Sequence, residues 1–205
     1  MFITFEGLDF CGKSTQVEIL KKYFEDRNDK VELIREPGGT SISEMIRDIL
    51  LDKKNSEMFI EAELLLFSSS RAQLVREKII PLLKQGYYVI SDRFHDSSIA
   101  YQGYGRGIDL EAVKTIQRFA IDGAVPDITF FIDVSLEEIQ RRRTKHGQNN
   151  LDRIELSANE FYHKVYDGYL EICETEERVK RIDGTKSIEE VHQQIINEIN
   201  LLEKL

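Results

Sequence analysis

Cysteine is scarce in this sequence, positive charge is outnumbered, and no long apolar run occurs; each shortage excludes a class of protein. Only Cys11 and Cys173 are present. They are too few and too far apart for a disulfide framework or a four-ligand zinc site, which points to a reducing compartment. The 28 Lys and Arg stand against 37 Asp and Glu, a formal net charge of -9. That balance opposes attraction to a nucleic-acid polymer. The longest apolar runs, such as Leu64 to Phe67, fall far short of the roughly 20 residues that span a bilayer. Met1 to Phe5 runs straight into a strand pattern with no basic segment before an apolar stretch, so no secretory signal is read. The expectation is a soluble cytoplasmic protein without a membrane partner. With 205 residues and 41% hydrophobic content, one domain with a substantial core is expected.

What is present alternates. Short β-rich runs at Phe2–Glu6, Val31–Arg35, Tyr87–Ser91, Ile128–Val134 and Val179–Ile182 are separated by helical patterns. The first of these places Val17, Leu20 and Phe24 at helical spacing. Others cover Ser43–Leu51, Glu57–Gln85 with a break near Arg71 or Pro81, Asp109–Ile121, Leu136–Lys145, Leu156–Glu176 and Ser187–Leu202. Strands that are apolar on both faces and alternate with helices predict an α/β fold: three layers, with a five-stranded parallel sheet covered on both faces. Gln102–Asp109, with Gly103, Gly105 and Gly107, and Arg141–Arg153 are the least core-like segments. Both are expected to be mobile elements over a site, the second a lid.

After the first strand comes Gly7-Leu8-Asp9-Phe10-Cys11-Gly12-Lys13-Ser14, followed by Thr15, which fits the P-loop pattern at every fixed position. Its glycines let backbone N–H groups turn inward around phosphate oxygens, and the following helix presents its positive end. Lys13 is expected on the β and γ phosphates of ATP and Ser14 on Mg²⁺. No Asn-Lys-x-Asp run accompanies it, which argues against a guanine-reading switch.

The third strand ends Val89-Ile90-Ser91-Asp92-Arg93, so a carboxylate and a guanidinium leave the sheet where open α/β sheets bind ligands. Asp92 is expected near the metal, and Arg93 on a second anion, the acceptor's phosphate. The second strand also ends in charge, at Arg35-Glu36-Pro37-Gly38-Gly39. Phe67 and Arg71 lie one helical turn apart, an aromatic face beside a fork of donors that suits a stacked base. Arg141, Arg142, Arg143, Lys145 and Arg153 gather cations in an acidic chain, as a lid over a transferring phosphoryl group requires.

At these residues the chain resembles the thymidylate kinase family, in its bacterial branch. Arg35-Glu36-Pro37-Gly38-Gly39-Thr40, Asp92-Arg93, Ser97 through Gly103, Gly105-Arg106-Gly107, Pro126-Asp127 and Leu151-Asp152-Arg153-Ile154-Glu155 carry the likeness. The resemblance implies phosphorylation of dTMP to dTDP with MgATP, supplying dTTP for DNA synthesis, by a homodimer. It implies that Asp9 contacts the sugar 3′-hydroxyl and lies near the metal. Phe67 then stacks on the base, Arg71 holds the pyrimidine edge, and Arg35 and Arg93 bracket the acceptor phosphate. Ser98 and Gln102 touch the base, Tyr101 crowds the 2′ position, and Glu36 and Ser97 complete the substrate set. Because Phe10 stands where some members carry a P-loop arginine, the resemblance implies the type whose catalytic cations come from the lid. Arg142, Arg143, Lys145 and Arg153 are open alternatives, since His146 falls where a lid arginine is expected; Arg142 is also a candidate for adenine, with the Asp183-Gly184-Thr185 loop. Phe94 and His95 after Arg93, and the bulk of Phe10-Cys11, depart from the family pattern. A kinase of another nucleotide or of a deoxynucleoside, and a non-catalytic P-loop module, are the alternative readings.

Overall fold

Five strands form one wholly parallel sheet: β1 (Phe2–Glu6), β2 (Val31–Arg35), β3 (Tyr88–Asp92), β4 (Ile128–Asp133) and β5 (Val179–Asp183), in the order β2-β3-β1-β4-β5. The computed structural model describes residues 1–146, 152–154 and 159–204. β1 is buried along its whole length at the centre of the sheet, which is why it reads as an unbroken apolar run. The register pairs Phe5 and Arg35 with Asp92, and Glu6 with Phe131. Glu6, Arg35 and Asp92 therefore end together at the carboxyl edge. The chain moves from β1 outward to β2, returns through β3 and crosses to β4 on the other side of β1. A crevice opens at such a reversal of strand order.

The helices among the described residues are α1 (Lys13–Asp26), α2 (Ser41–Leu51), α3 (Ile60–Leu74), α4 (Ile80–Lys84), α5 (His95–Ser98), α6 (Leu110–Ile121), α7 (Leu136–His146), α8 (Asn159–Thr175) and α9 (Ile188–Leu202). Right-handed crossovers running in opposite directions from the centre place α1 and α8 on opposite faces of the sheet. Val17, Leu20 and Phe24 of α1 are buried as their spacing predicts. Thr40, Asp109 and Ser187 cap α2, α6 and α9 by accepting hydrogen bonds from backbone N–H groups of the first turn.

Two expectations change. The long helix does not break at Arg71 or at Pro81; it passes from α3 to α4 through a π-helical turn, Val75–Ile79. Proline has no N–H to give to the preceding turn, and the chain absorbs the mismatch by widening just before it. The glycine-rich stretch begins as helix rather than as an open loop. Ile99–Gly105 is a π-helical continuation of α5 packed against α8, with Tyr101, Gln102 and Gly103 buried. A Cβ on Gly105 would lie 2.6 Å from the Phe161 ring, and one on Gly103 would lie 2.7 Å from Leu110. Gly103 and Gly105 serve close packing, while Gly107, at φ 77° with open space around it, serves the turn that ends the segment. Segment 147–151 and Glu155, with the side chains of Lys145 and His146, lie outside the described residues.

Candidate active site

Gly7 has φ 140°, and a Cβ there would meet the Ile132 carbonyl and the Cys11 sulfur, each at 2.9 Å. Only glycine fits, and it lets β1 turn sharply into the loop. Gly12 caps α1 at φ 105°. Phe10 adopts a left-handed φ of 66°, an unusual conformation for a bulky residue. Lys13 is buried at 5% exposure. Its Nζ donates to the carbonyls of Gly7 at 3.0 Å and Leu8 at 2.9 Å. The ammonium is thus held over the loop it belongs to, at the head of α1.

A cleft of about 510 Å³ runs past Gly12, Lys13, Ser14 and Thr15, with Asp92, Arg93, Arg35 and Arg142 among its other walls. Ser14 Oγ donates to Asp92 Oδ2 at 2.8 Å. Among the described residues no group of three or more His, Cys, Asp or Glu side chains forms a metal cage. One hydroxyl and one carboxylate nevertheless fit Mg²⁺, which keeps waters and phosphate oxygens as its remaining ligands. Arg142 of α7 bridges two loops. It donates to Cys11 O at 3.0 Å and Gly184 O at 2.9 Å, while Glu138 accepts from its Nε at 2.8 Å. The P-loop backbone and the turn after β5 are thereby joined by one guanidinium.

A second cavity, about 140 Å³, adjoins the cleft. Asp9, Glu36 and Arg93 line both. Phe67, Arg71, Ser97, Ser98, Tyr101 and Gln102 form the rest of its expected wall. Arg71 is 1% exposed. Its Nε and Nη2 reach Glu36 Oε2 at 2.7 and 2.5 Å, and Nη2 also donates to Phe94 O at 3.0 Å. Its Nη1 donates to Ser98 Oγ at 2.8 Å and to Gln117 Oε1. All the guanidinium donors are engaged. Burial raises the Glu36 pKa even though Arg71 opposes the shift. Gln102 is held by Glu63, to which its Nε2 donates at 3.0 Å.

Arg93 has φ 70°. Its Nη2 donates to Asp9 Oδ1 at 2.7 Å and Tyr101 Oη at 3.2 Å, and its Nη1 to Ser97 Oγ at 3.2 Å and Tyr169 Oη at 3.3 Å. Burial alone would raise the Asp9 pKa, but Arg93 and Lys13 hold it below the ordinary carboxylate value. Asp9 belongs to the P-loop and Arg93 to the end of β3, so this ion pair joins the nucleotide cleft to the second cavity.

A family model described as Thymidylate kinase matches residues 5–195. The chain is 47% identical to a thymidylate kinase of Kosmotoga olearia, over 100% of this chain and 98% of that protein. It is 49% identical to one of Thermosipho africanus, over 95% of each. A crystal structure of thymidylate kinase from Ehrlichia chaffeensis superposes with a TM-score of 0.79 at 37% identity, covering 98% of both chains. The chain belongs to the thymidylate kinase family.

Within this member of the family, some expected site residues stand elsewhere. Arg35 lines the cleft but not the second cavity, and its guanidinium donates to Glu44 at 3.1 Å and Pro37 O at 3.2 Å. Arg143 lines a small cavity on the other side of Asp9 and Phe10, with Tyr162 and His163. Arg153 lines neither the cleft nor the acceptor-side cavity. It pairs with Glu63 at 2.7 Å and donates to Leu50 O at 2.8 Å. Arg153, expected among the lid cations, here ties the end of the lid segment to α2 and α3. The sequence reading missed Arg47, which lines both spaces and donates to Pro37 O at 2.7 Å. On an amphipathic helix it resembles any solvated arginine. It also missed Pro37, Leu51, Asp152 and Ile154 in the cavity wall; Asp152 and Ile154 were quoted only as part of a family segment.

Proposed function

We propose that the chain transfers the γ-phosphoryl group of MgATP to thymidine monophosphate, giving dTDP and ADP. The observation that carries this reading is the Asp9–Arg93 pair at 2.7 Å, with both residues lining the P-loop cleft and the adjoining cavity. A donor phosphate in the first and an acceptor phosphate in the second meet at that pair. The transfer is in-line, and an ionised phosphate monoester needs no general base. Lys13 exchanges loop carbonyls for phosphate oxygens, and Arg93 takes the acceptor phosphate. Ser14 and Asp92 would hold Mg²⁺, which would supply charge neutralisation to the transferring phosphates. Phe67 offers the base an aromatic face and Gln102 an edge, and Arg71 reaches that edge by exchanging one of its present partners; Tyr101 is the ring we read as disfavouring a 2′-hydroxyl.

Phe10 carries no charge to stabilise the transfer, so we place this member in the lid-cation type. The lid spans about residues 141–153, and its middle lies outside the described residues. Its root is the end of α7, where Arg142 already reaches the P-loop backbone. We further read the enzyme as a homodimer. Ile42, Met45 and Ile49 make one exposed stripe on α2, and Leu65 of α3 and Phe119 of α6 are 54% and 79% exposed; α3 packs against both α2 and α6. A second copy covering that face removes it from water.

A steady-state ADP-release assay with ATP and a panel of acceptors tests the activity. Turnover is expected with dTMP, with dUMP poorer by roughly 10 to 200-fold for the lost methyl contact. Lys13→Ala should lose most of it while staying folded. Preference for unphosphorylated thymidine, or ADP release indifferent to acceptor, would overturn the reading.

A further inference from the structure

Glu6, the last residue of β1, is fully buried and has no part in the chemistry above. Its register beside Phe131, one step beyond the Phe5–Asp92 pair, puts its carboxylate next to the turn that carries Arg93. Four donors converge on it. The N–H groups of Phe94 and Ser97 reach Oε1 at 2.8 and 3.2 Å; the hydroxyls of Ser97 and Tyr169 reach Oε2 at 2.5 and 2.9 Å. Burial and the neighbouring Asp96 raise the Glu6 pKa to about 7 against the pull of Arg93; in its ionised form the carboxylate only accepts, and it draws the single proton of each hydroxyl to itself rather than to the other hydroxyl 3.0 Å away. Both hydroxyl oxygens then have only lone pairs left to offer, and both offer them to Arg93 Nη1, at 3.2 and 3.3 Å.

We propose that Glu6 is a positioning residue for the acceptor phosphate. By fixing the proton direction of Ser97 and Tyr169, it makes them acceptors for one arm of Arg93, while Asp9 and Tyr101 hold the other arm. The guanidinium is set before the phosphate arrives, and less ordering remains to be done on binding. The two N–H bonds fix the backbone just beyond Arg93, whose own φ of 70° is one that a non-glycine residue rarely keeps without support. Tyr169 comes from α8, on the far side of the π-helical segment, so the device ties the end of β1 to the helix after the lid.

The inference rests on the kinase reading, because it takes Arg93 as the phosphate ligand. Calorimetric titration of dTMP and of thymidine separates the two, since thymidine fills the same cavity without the phosphate. Glu6→Gln presents an amide N–H₂ in place of one accepting oxygen and frees a hydroxyl proton to turn toward Arg93. It should weaken dTMP about 10-fold, the scale of one charge-assisted hydrogen bond, and leave thymidine within about 2-fold. Tyr169→Phe should act in the same direction, and the double variant should add little to Glu6→Gln, because both work through one carboxylate. Should Glu6→Gln fail to fold, Tyr169→Phe carries the test alone. Equal weakening of dTMP and thymidine, or full additivity, would overturn the proposal. Arg93→Met is the control for the underlying reading. If it leaves the dTMP-to-thymidine ratio unchanged, the assignment of the cavity fails; if it collapses the ratio while Glu6→Gln and Tyr169→Phe do not, only the role of Glu6 fails.

Discussion

Replacing Arg71 by Met removes a side chain of similar length and leaves Glu36 with nothing to balance it. In the native structure the pair is 1% and 6% exposed, with the guanidinium bound to Glu36, Ser98, Gln117 and the Phe94 carbonyl. Breaking a buried ion pair from one side costs about 3 to 5 kcal/mol, because the partner is stranded in a medium that cannot solvate it. For a chain of this size each kcal/mol lowers Tm by about 2 to 4 °C, so Arg71→Met should melt about 6 to 20 °C below the parent.

The double variant decides whether the stranded carboxylate is the cause. Glu36→Gln alone also loses the pair, but Arg71→Met with Glu36→Gln strands no charge. The double variant should therefore be more stable than the sum of the singles by about 1 to 3 kcal/mol. The sign with pH follows from Glu36, whose folded pKa is raised by burial and rises further without Arg71. A raised carboxyl contributes stability below its unfolded pKa and loses it as pH climbs. The penalty of Arg71→Met should thus grow above about pH 4.5 and be smallest in acid. Urea unfolding of the four proteins at two pH values measures it. Additivity of the singles, or a loss for Arg71→Met under about 1 kcal/mol, would refute the view that these two side chains hold one another in the core.

Two further outcomes are expected. His95 is buried beside Arg178 and Asp96, and its pKa is pushed down to about 4, chiefly by burial. Stability should fall as pH drops from about 6.5 toward 4, where the unfolded chain takes the proton first. His95→Gln should flatten the urea midpoint across that window, and an unchanged slope would show that other groups control it. Met45 is 58% exposed in the middle of the α2 stripe. Met45→Glu should halve the mass seen by light scattering without lowering cavity-dependent dTMP binding, and a parent already monomeric at assay concentration would dispose of the dimer.

The parts of this molecule that were legible in its sequence are those set by short-range chemistry. The P-loop is a run of eight residues whose spacing is itself the mechanism, and β1, β3 and β4 were visible because a buried parallel strand is apolar on both faces, while the edge strands β2 and β5 carry charge and were visible by their place between helical patterns. Arg93 and Asp92 were readable because they end a strand. Ser97 and Tyr169 are different: the hydrogen bonds that define them connect to Glu6 across 91 and 163 residues, and nothing local distinguishes that tyrosine from others in α8. The partners of Arg153 were hidden for a related reason. A cation near a lid is read as free for phosphate, whereas its acceptors, Glu63 and the Leu50 carbonyl, lie about as far back along the chain as α2 and α3. The Gly103–Gly105 stretch misled through composition, since glycine that permits motion and glycine that permits contact are the same letter.

The cations around the cleft share a feature that bears on how the two substrates influence each other. Lys13 rests on two loop carbonyls, Arg142 on two more and Glu138, Arg35 on Glu44, and Arg93 on Asp9. Each phosphate contact is therefore an exchange, and its net worth is the excess of a charge-assisted bond over the internal one it replaces. For Lys13 that excess is large, because a neutral carbonyl gives way to a phosphate oxygen. For the Arg93 arm on Asp9 it is smaller, because Asp9 already supplies a full negative charge at 2.7 Å, whereas the arm on Ser97 and Tyr169 gives up only neutral partners. Anything that draws Asp9 toward the donor side, such as a cation on the phosphates of ATP, frees one arm of Arg93 for the acceptor. Bound ATP should then tighten dTMP, and by reciprocity dTMP should tighten ATP by the same factor. That coupling would run through the Asp9–Arg93 ion pair at the boundary of the two spaces, and Asp9→Asn should reduce it in paired titrations of each substrate with and without the other.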